Sequence, residues 1–147
     1  MKVNSYSYDC LDEVPLHYVR ANQSGILISI IAAGLSGLWF LLAIPFAVQI
    51  ISRTYGVKYN AFVRLLAPLL PRSKKTESRE LLRFNNLLAI LFLLGALISF
   101  AFRAEIVGYL FVAMLTVAVV LALSGFCLGC FIYFQWKQFR ARRLARR

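Results

Sequence analysis

Long apolar stretches separated by short polar segments form the main pattern of this chain. Residues 1–16 are polar, and the last and longest apolar run has no charged residue between Ile106 and Trp136. A helix needs about 20 apolar residues to cross the hydrocarbon core of a bilayer. The pattern predicts an all-α membrane protein, a four-transmembrane-helix bundle formed by a single domain, residues 1–147. The predicted spans are about 18–34, 38–53, 84–102 and 106–136, followed by a tail at 137–147.

The first two spans are separated by a glycine-containing segment at 34–37. Glycine adopts the positive φ that a tight reversal often needs, so we expect a turn there. A continuous helix over residues 25–52 would measure about 42 Å, which is too long for a hydrocarbon core of about 30 Å without strong tilt. Two short spans are therefore preferred. Pro45 is expected to kink the second span because it lacks an N–H group.

The segment 53–83 is the longest polar connection, and it contains a short helical pattern. Apolar residues recur at i, i+3, i+4 and i+7, which predicts an amphipathic helix in the membrane interface that ends at Pro71. In this interpretation Asn60 and Arg64 face away from the apolar side. A further helix is predicted to start near Thr76, with two glutamates in its first turn. The four apolar positions are Phe62, Leu65, Leu66 and Leu69.

Composition and charge support a membrane location. Hydrophobic residues make up 61% of the chain and charged residues 16%, and the mean hydropathy is +0.71. That leaves too few polar residues to cover a water-soluble domain. The formal charge of +11 would suit nucleic acid, but the basic residues lie beside apolar runs. We therefore expect the lipid bilayer as a partner and no nucleic acid.

The distribution of basic residues predicts the orientation. Fourteen of the 17 lysines and arginines fall in the segment 53–83 and the tail, which four spans would put on one side of the membrane. The opposite side receives only Arg103. Both termini and the central loop are therefore predicted to be cytoplasmic, in a multi-pass protein of the cell inner membrane.

Two cysteines near the end of the last apolar run are the main candidates for chemistry. Cys127 and Cys130 are three residues apart, so on a helix they share one face with Cα atoms about 5 Å apart, within the range of a disulfide. In a reducing cytoplasm such a disulfide would be a transient catalytic state. Cys10 is a third thiol on the same side. Alternatively the cysteines only fill space, beside a close helix contact at Gly125 and Gly129.

Several polar and basic residues are candidates for support of these thiols. The amides and hydroxyls would fall in the cytoplasmic half, either lining a polar pocket beside the cysteines or only joining helix to helix. The arginines would reach the interface by default, or stabilise a thiolate. With three cysteines and a single histidine, no metal site is predicted. The candidates are Gln23, Gln49, Asn85, Asn86 and Ser124, together with Arg20 and Arg53.

The sequence Gly-Phe-Cys-Leu-Gly-Cys at 125–130 resembles the C-terminal signature of a small bacterial membrane family known as a domain of unknown function. That family is related to the DoxX-like four-helix membrane proteins. The resemblance implies a four-helix bundle and an association with thiol or sulfur redox metabolism. One departure is Gln49: the family often carries an acidic residue in this place, a few positions before the arginine of the second span, so a role for that acid does not carry over. Further matches are Cys10, Val19-Arg20, Arg53 and Arg83-Phe84.

The leading hypothesis is a membrane thiol-redox or sulfur-handling protein in which Cys127 and Cys130 form the redox pair. Cys10 would be an exchanging thiol. Electrons would pass to a cytosolic thioredoxin-like or sulfurtransferase-like protein, or to a membrane quinone. One alternative is a transporter for a small sulfur species or a soft metal. Another is a non-enzymatic scaffold or assembly subunit whose basic loop and tail hold anionic lipid or a partner.

Overall fold

The architecture is that of an all-α protein with one very small sheet, as seen in a computed structural model of the chain. The structure describes residues 13–125, 135–136, 138–140 and 142–143. Its α-helices are α1 (Leu16–Ser36), α2 (Ala43–Tyr55), α3 (Ala61–Leu66), α4 (Arg79–Ala101) and α5 (Glu105–Leu123). Short 3₁₀ turns cover Trp39–Leu42, Val57–Tyr59 and Ala67–Leu69, and two strands, β1 (Glu13–Pro15) and β2 (Thr76–Ser78), form the sheet.

Helices α1 and α2 form a hairpin with a sharp turn at Gly37. Gly37 has φ 69°, in the left-handed region where glycine avoids a Cβ clash, and it ends α1. The predicted turn at 34–37 therefore corresponds to the observed end of the helix. Pro45 lies in the first turn of α2, where its missing N–H group would have no partner within the helix. The irregularity of this segment is the 3₁₀ turn before α2 rather than a kink within it.

Helices α4 and α5 form a second hairpin, and both are long and apolar enough to cross a membrane. In their most apolar windows only 33% and 17% of the residues are buried, respectively. A core helix of a soluble protein would bury most of such a window, so the outward apolar faces favour a lipid environment. The turn between the helices contains Arg103 at φ 59°.

Helix α5 ends at Leu123, well before the predicted limit at residue 136. Gly125 has φ 92°, so the α-helical conformation does not continue through it. At 1.5 Å per residue, 19 residues give about 28 Å, already close to the thickness of a hydrocarbon core. The lack of charged residues after Leu123 therefore does not by itself predict a longer helix.

The central segment differs from the prediction at its second half. Instead of starting a helix, Thr76 begins β2, which pairs antiparallel with β1 so that Val14 lies opposite Glu77. Helix α4 starts only at Arg79. The backbone N–H of Leu16 also donates to the carbonyl of Lys75 at 2.9 Å. These long-range bonds tie the beginning of α1 to the beginning of α4.

The short amphipathic helix turns Asn60 toward the bundle and two of its predicted apolar residues away from it. Asn60, predicted to face away, is 1% exposed, and Val63 is buried on the same side of α3. Leu65 and Leu69, predicted to form the apolar face, are 71% and 79% exposed. The reason is that the Asn60 amide finds hydrogen-bond partners inside the bundle, whereas exposed leucines carry no such requirement.

The main core lies between α1, α4 and α5. Ile26 and Ile30 of α1 pack with Leu93 of α4 and Leu115 and Val119 of α5. A separate close approach brings α3 against α1, because a Cβ on Gly25 would collide with the ring of Phe62. The long helices and the central segment therefore form one packed unit.

Candidate functional site

Among the residues that the structure describes, six of the seven buried polar side chains lie at one end of the bundle, and the exception is Ser99. We call this the basic end: α2 ends there at Tyr55 and α4 begins there at Arg79. The opposite end contains the turns at Gly37 and Arg103. Helix α5 also ends at the basic end. Ala122, close to its last residue, lines the same cavity as Gln23 of α1 and Asn85 of α4.

Five buried polar residues at the basic end form what we call the amide cluster. Each is at most 4% exposed, and they come from α1, α2, α4 and the residue before α3. In an apolar interior, every such group needs a hydrogen-bond partner to offset its desolvation. The residues are Asn22, Gln49, Ser52, Asn60 and Asn86.

Asn22 is the centre of the amide cluster. Its Oδ1 accepts hydrogen bonds from Gln49 Nε2 and from Asn60 Nδ2, both at 2.7 Å. Its Nδ2 donates to Gln49 Oε1 at 3.3 Å and, more weakly, to Asn86 Oδ1 at 3.5 Å. Asn86 Nδ2 in turn donates to Ser52 Oγ at 3.1 Å. One side chain of α1 therefore joins three other parts of the chain.

Asn60 connects the central segment to this cluster. Its Oδ1 accepts from the backbone N–H groups of Phe62 and Val63 at 3.0 and 3.3 Å, which caps the start of α3. The same amide donates to Asn22, as described above. A single residue therefore starts the helix and fastens it to α1.

A basic cavity of about 470 Å³ lies above the amide cluster. Ser52 and Asn86 belong to both, so they form the polar floor of the cavity. Arg53 is half-buried, and its Nη1 donates to the backbone carbonyl of Arg83 at 2.7 Å. The basic side chains in the lining are Arg53, Lys58, Arg79 and Arg83.

A second, apolar cavity of about 460 Å³ lies between α1, α4 and α5. Its lining is aliphatic and aromatic apart from Gln23 and Asn85. Gln23 is 7% exposed, and its amide makes no hydrogen bond with any residue that the structure describes. A buried amide with free donors and an acceptor, facing an apolar cavity, suits a ligand with a carbonyl group on an apolar body.

Among the described residues at this end, Glu77 is the one group whose pKa is shifted. Its Oε2 is buried without a hydrogen-bond partner, and burial raises the pKa of the Glu77 carboxyl above the ordinary value for glutamate. The cause is the loss of solvation of the charged form, since no other contribution is found. In the part of the chain that the structure describes, no group of three or more metal-ligating side chains occurs.

The candidate residues from the sequence separate into several places. Asn86 and Arg53 line the basic cavity, whereas Gln23 and Asn85 line the apolar one. Gln49 is buried in the amide cluster. The remaining two are on the surface: Arg20 is exposed, and Ser124 donates its hydroxyl to the carbonyl of Val120 at 2.9 Å. The three thiols, Cys10, Cys127 and Cys130, lie outside the described residues.

Sequence reasoning missed the central position of Asn22 and the inward direction of Asn60. Asn22 lies just before the first apolar run, and nothing in its sequence context marks it as the centre of a buried network. A usable signal existed for Asn60, since asparagine directly before a short apolar-periodic segment is a preferred helix cap. The hydrogen bond from Asn60 to Asn22 spans 38 residues, so no local sequence pattern predicts it.

Comparison with known proteins shows the family but no close relative of known structure. The model of the family described as "Domain of unknown function (DUF4395)" matches residues 14–138, so the chain belongs to this family. No curated protein and no solved structure matches the chain. The match confirms that the chain belongs to a domain-of-unknown-function family, and it extends from β1 into the basic tail.

Proposed function

We propose that this family member is a four-span membrane protein in which Cys127 and Cys130 exchange electrons with a lipid-soluble acceptor at the basic end. The four spans would be α1, the 3₁₀ turn with α2, α4 and α5. Alternate crossings put every basic residue of the central segment on one side and Arg103 on the other. By the positive-inside rule that basic side, with both termini, is the cytoplasmic one of the inner membrane.

The observation that carries the redox proposal is the unpartnered Gln23 amide in the apolar cavity. The cavity is lined by α5 up to Ala122, and Cys127 follows only five residues later in the sequence. A membrane quinone has carbonyl oxygens on an apolar ring and tail, and the Nε2 group of Gln23 is a suitable donor to such an oxygen. A quinone, when bound, would supply a two-electron, two-proton acceptor.

The end of α5 at Leu123 supports chemistry at the cysteines. A thiol within lipid has a raised pKa, whereas a thiol beyond the end of a span can be close to water and to cations. In the proposed step the two thiols lose two protons and two electrons as the Cys127–Cys130 S–S bond forms. The protons and electrons convert quinone to quinol, so the reaction balances. A cytosolic thioredoxin-like or sulfurtransferase-like dithiol would reduce the disulfide again.

The test uses the reduced, purified full-length protein in nanodiscs with a short-chain quinone. We expect loss of two free thiols per quinone reduced, measured by mass spectrometry and by quinone absorbance. Cys127→Ser should abolish quinone reduction. Gln23→Leu should slow it at least tenfold without changing the number of free thiols at the start. Thr116→Val is a matched control, because that hydroxyl bonds only to its own helix at the carbonyl of Val112.

Two results would contradict the proposal. One is that the cysteines stay reduced in the presence of quinone. The other is that quinone reduction persists in the Cys127→Ser variant. The transport and scaffold alternatives stay predictions, and uptake of a sulfur species or Cu(I) into proteoliposomes would favour the first of them.

A further inference from the structure

We propose that the basic cavity binds a phosphate group, carried either by a soluble phosphate ester or by the headgroup of an anionic lipid. The proposal does not depend on the cysteines. It rests on the charge of the lining, on the fixed position of Arg53 and on a buried hydroxyl without an acceptor. Among the described residues the lining includes four basic side chains and no carboxylate.

Arg53 is positioned for anion recognition by a bond to the neighbouring helix. One of its five N–H groups is used by the carbonyl of Arg83, which holds the guanidinium at the cavity and leaves donors for a ligand. A guanidinium with a fixed plane matches the oxygens of a phosphate in a two-point contact. Lys58 and the Arg83 side chain have no ion-pair or hydrogen-bond partner within the described ranges.

The repulsion between these cations would be relieved by a bound anion. Like charges that line one cavity repel each other, and an anion bound between them lowers this repulsion. Arg79 adds a further positive charge to the lining. Helix α4 begins at the same place, and its amino end contributes a partial positive charge.

Ser52 gives independent support for a ligand. It is 4% exposed, and its Oγ accepts a hydrogen bond from Asn86. The hydroxyl proton has no acceptor among the described residues, although buried donors are normally paired. Because Ser52 lines the cavity, a phosphate oxygen above it would complete this bond.

The size and composition of the cavity indicate more than an inorganic ion. A volume of about 470 Å³ is in the range of small-molecule sites, well above what a bare phosphate needs. Val14, Val57 and Leu82 contribute apolar surface beside the basic groups. The ligand should therefore be a phosphate with an organic substituent, such as glycerol 3-phosphate or a phospholipid headgroup.

The experiment measures binding to the full-length protein in phosphatidylcholine nanodiscs. Glycerol 3-phosphate is titrated at constant ionic strength, with chloride as the comparison anion, and binding is followed by the thermal unfolding midpoint and by ³¹P NMR. A second arm replaces part of the phosphatidylcholine with phosphatidylglycerol. Saturable stabilisation by the soluble ester identifies a soluble ligand. Stabilisation by phosphatidylglycerol together with weaker ester binding identifies a lipid headgroup.

Arg83→Gln is the main variant, because its exposed side chain makes no bond within the described structure and the fold should survive its loss. We expect at least tenfold weaker binding in this variant and in Lys58→Gln, and about threefold weaker binding in Ser52→Ala. Lys74→Gln is the matched control, since it removes an exposed positive charge outside the cavity and should change binding less than twofold.

The proposal is overturned if chloride reproduces the effect, if neither phosphate source stabilises the protein, or if Arg83→Gln and Lys58→Gln bind as tightly as the wild type. Cys127→Ser with Cys130→Ser should bind as the wild type does. This last variant separates the phosphate site from the redox proposal, because either can fail without the other.

Discussion

The two ends of the bundle are held together by different forces. At the basic end, buried amides bond across helices through Asn22. At the opposite end, rings pack: Phe100 lies 6.3 Å from Trp39 and 5.2 Å from Tyr109, measured between ring centroids. Gly108 allows that packing, since a Cβ there would approach the Phe100 ring to 2.8 Å.

This difference indicates how well each end tolerates small shifts in structure. Aromatic packing is tolerant of small shifts, because its energy depends on area and general geometry. A network of buried amides requires one arrangement, since each broken bond leaves a polar group unsatisfied. The basic end is therefore the rigid end. The basic cavity and the polar lining groups of the apolar cavity are at this end, where the amide cluster provides the fixed positions that a ligand site needs.

The largest expected effect comes from removal of the centre of the amide cluster. Asn22→Leu removes both hydrogen bonds of the Gln49 amide and one hydrogen bond each from Asn60 and Asn86, and we expect a loss of about 2–4 kcal/mol of unfolding free energy. The measurement is reversible denaturant unfolding in detergent micelles. Ser36→Ala at the opposite end is the control, because its hydroxyl bonds only nearby backbone groups, and it should change stability by less than about 0.5 kcal/mol. Equal losses of unfolding free energy in Asn22→Leu and Ser36→Ala would contradict the difference between the two ends.

A smaller effect is expected from the same substitution made at two glycines of α1. Gly25→Ala collides with Phe62 and should cost about 1–3 kcal/mol through displacement of α3. Gly34→Ala meets no atom within 4 Å, and it should be neutral or stabilise the helix by up to about 1 kcal/mol. Thermal unfolding of both variants checks the opposite signs. Phe62→Ala in the Gly25→Ala background should recover part of the loss, and the absence of recovery would argue against the contact.

The smallest effect concerns Glu77 and the pH. Because burial raises the pKa of Glu77 in the folded state, the folded protein binds the proton more tightly than the unfolded chain. Its contribution to stability is therefore greatest at low pH and is lost as the pH rises from the unfolded pKa through the raised folded pKa. Glu77→Gln should be more stable than wild type at neutral pH and should flatten this slope. An unchanged difference between the two proteins from pH 4 to pH 8 would contradict the burial of the carboxyl.

The helical character and the hairpin at Gly37 could be predicted from the sequence, because both follow from local composition and glycine chemistry. The direction of α3 could not, since the period of apolar residues does not distinguish a core from lipid when apolar side chains suit both. Leu65 and Leu69 are exposed for this reason. The sheet was also beyond prediction, because three-residue strands more than 60 positions apart, such as those of Val14 and Glu77, leave no local pattern.

The polar candidate residues of the sequence separate into two cavities in the structure. Gln23, Arg53, Asn85 and Asn86 do line cavities at one end, but they belong to two cavities rather than one. The reason is that Asn85 and Asn86 are consecutive on α4, so their side chains point about 100° apart around the helix. The depth of a polar residue in the bundle therefore does not tell which of the two cavities its side chain lines.

The proposed topology puts the basic end and the turn at Arg103 on opposite sides of the membrane. It is tested most directly by labelling single cysteines in a background where Cys10, Cys127 and Cys130 are serine. Lys74→Cys and Ala104→Cys are each treated with a membrane-impermeant maleimide in sealed inside-out and right-side-out vesicles. We predict labelling of the Lys74→Cys variant only in inside-out vesicles and of the Ala104→Cys variant only in right-side-out vesicles. Labelling of both variants from the same side would contradict it.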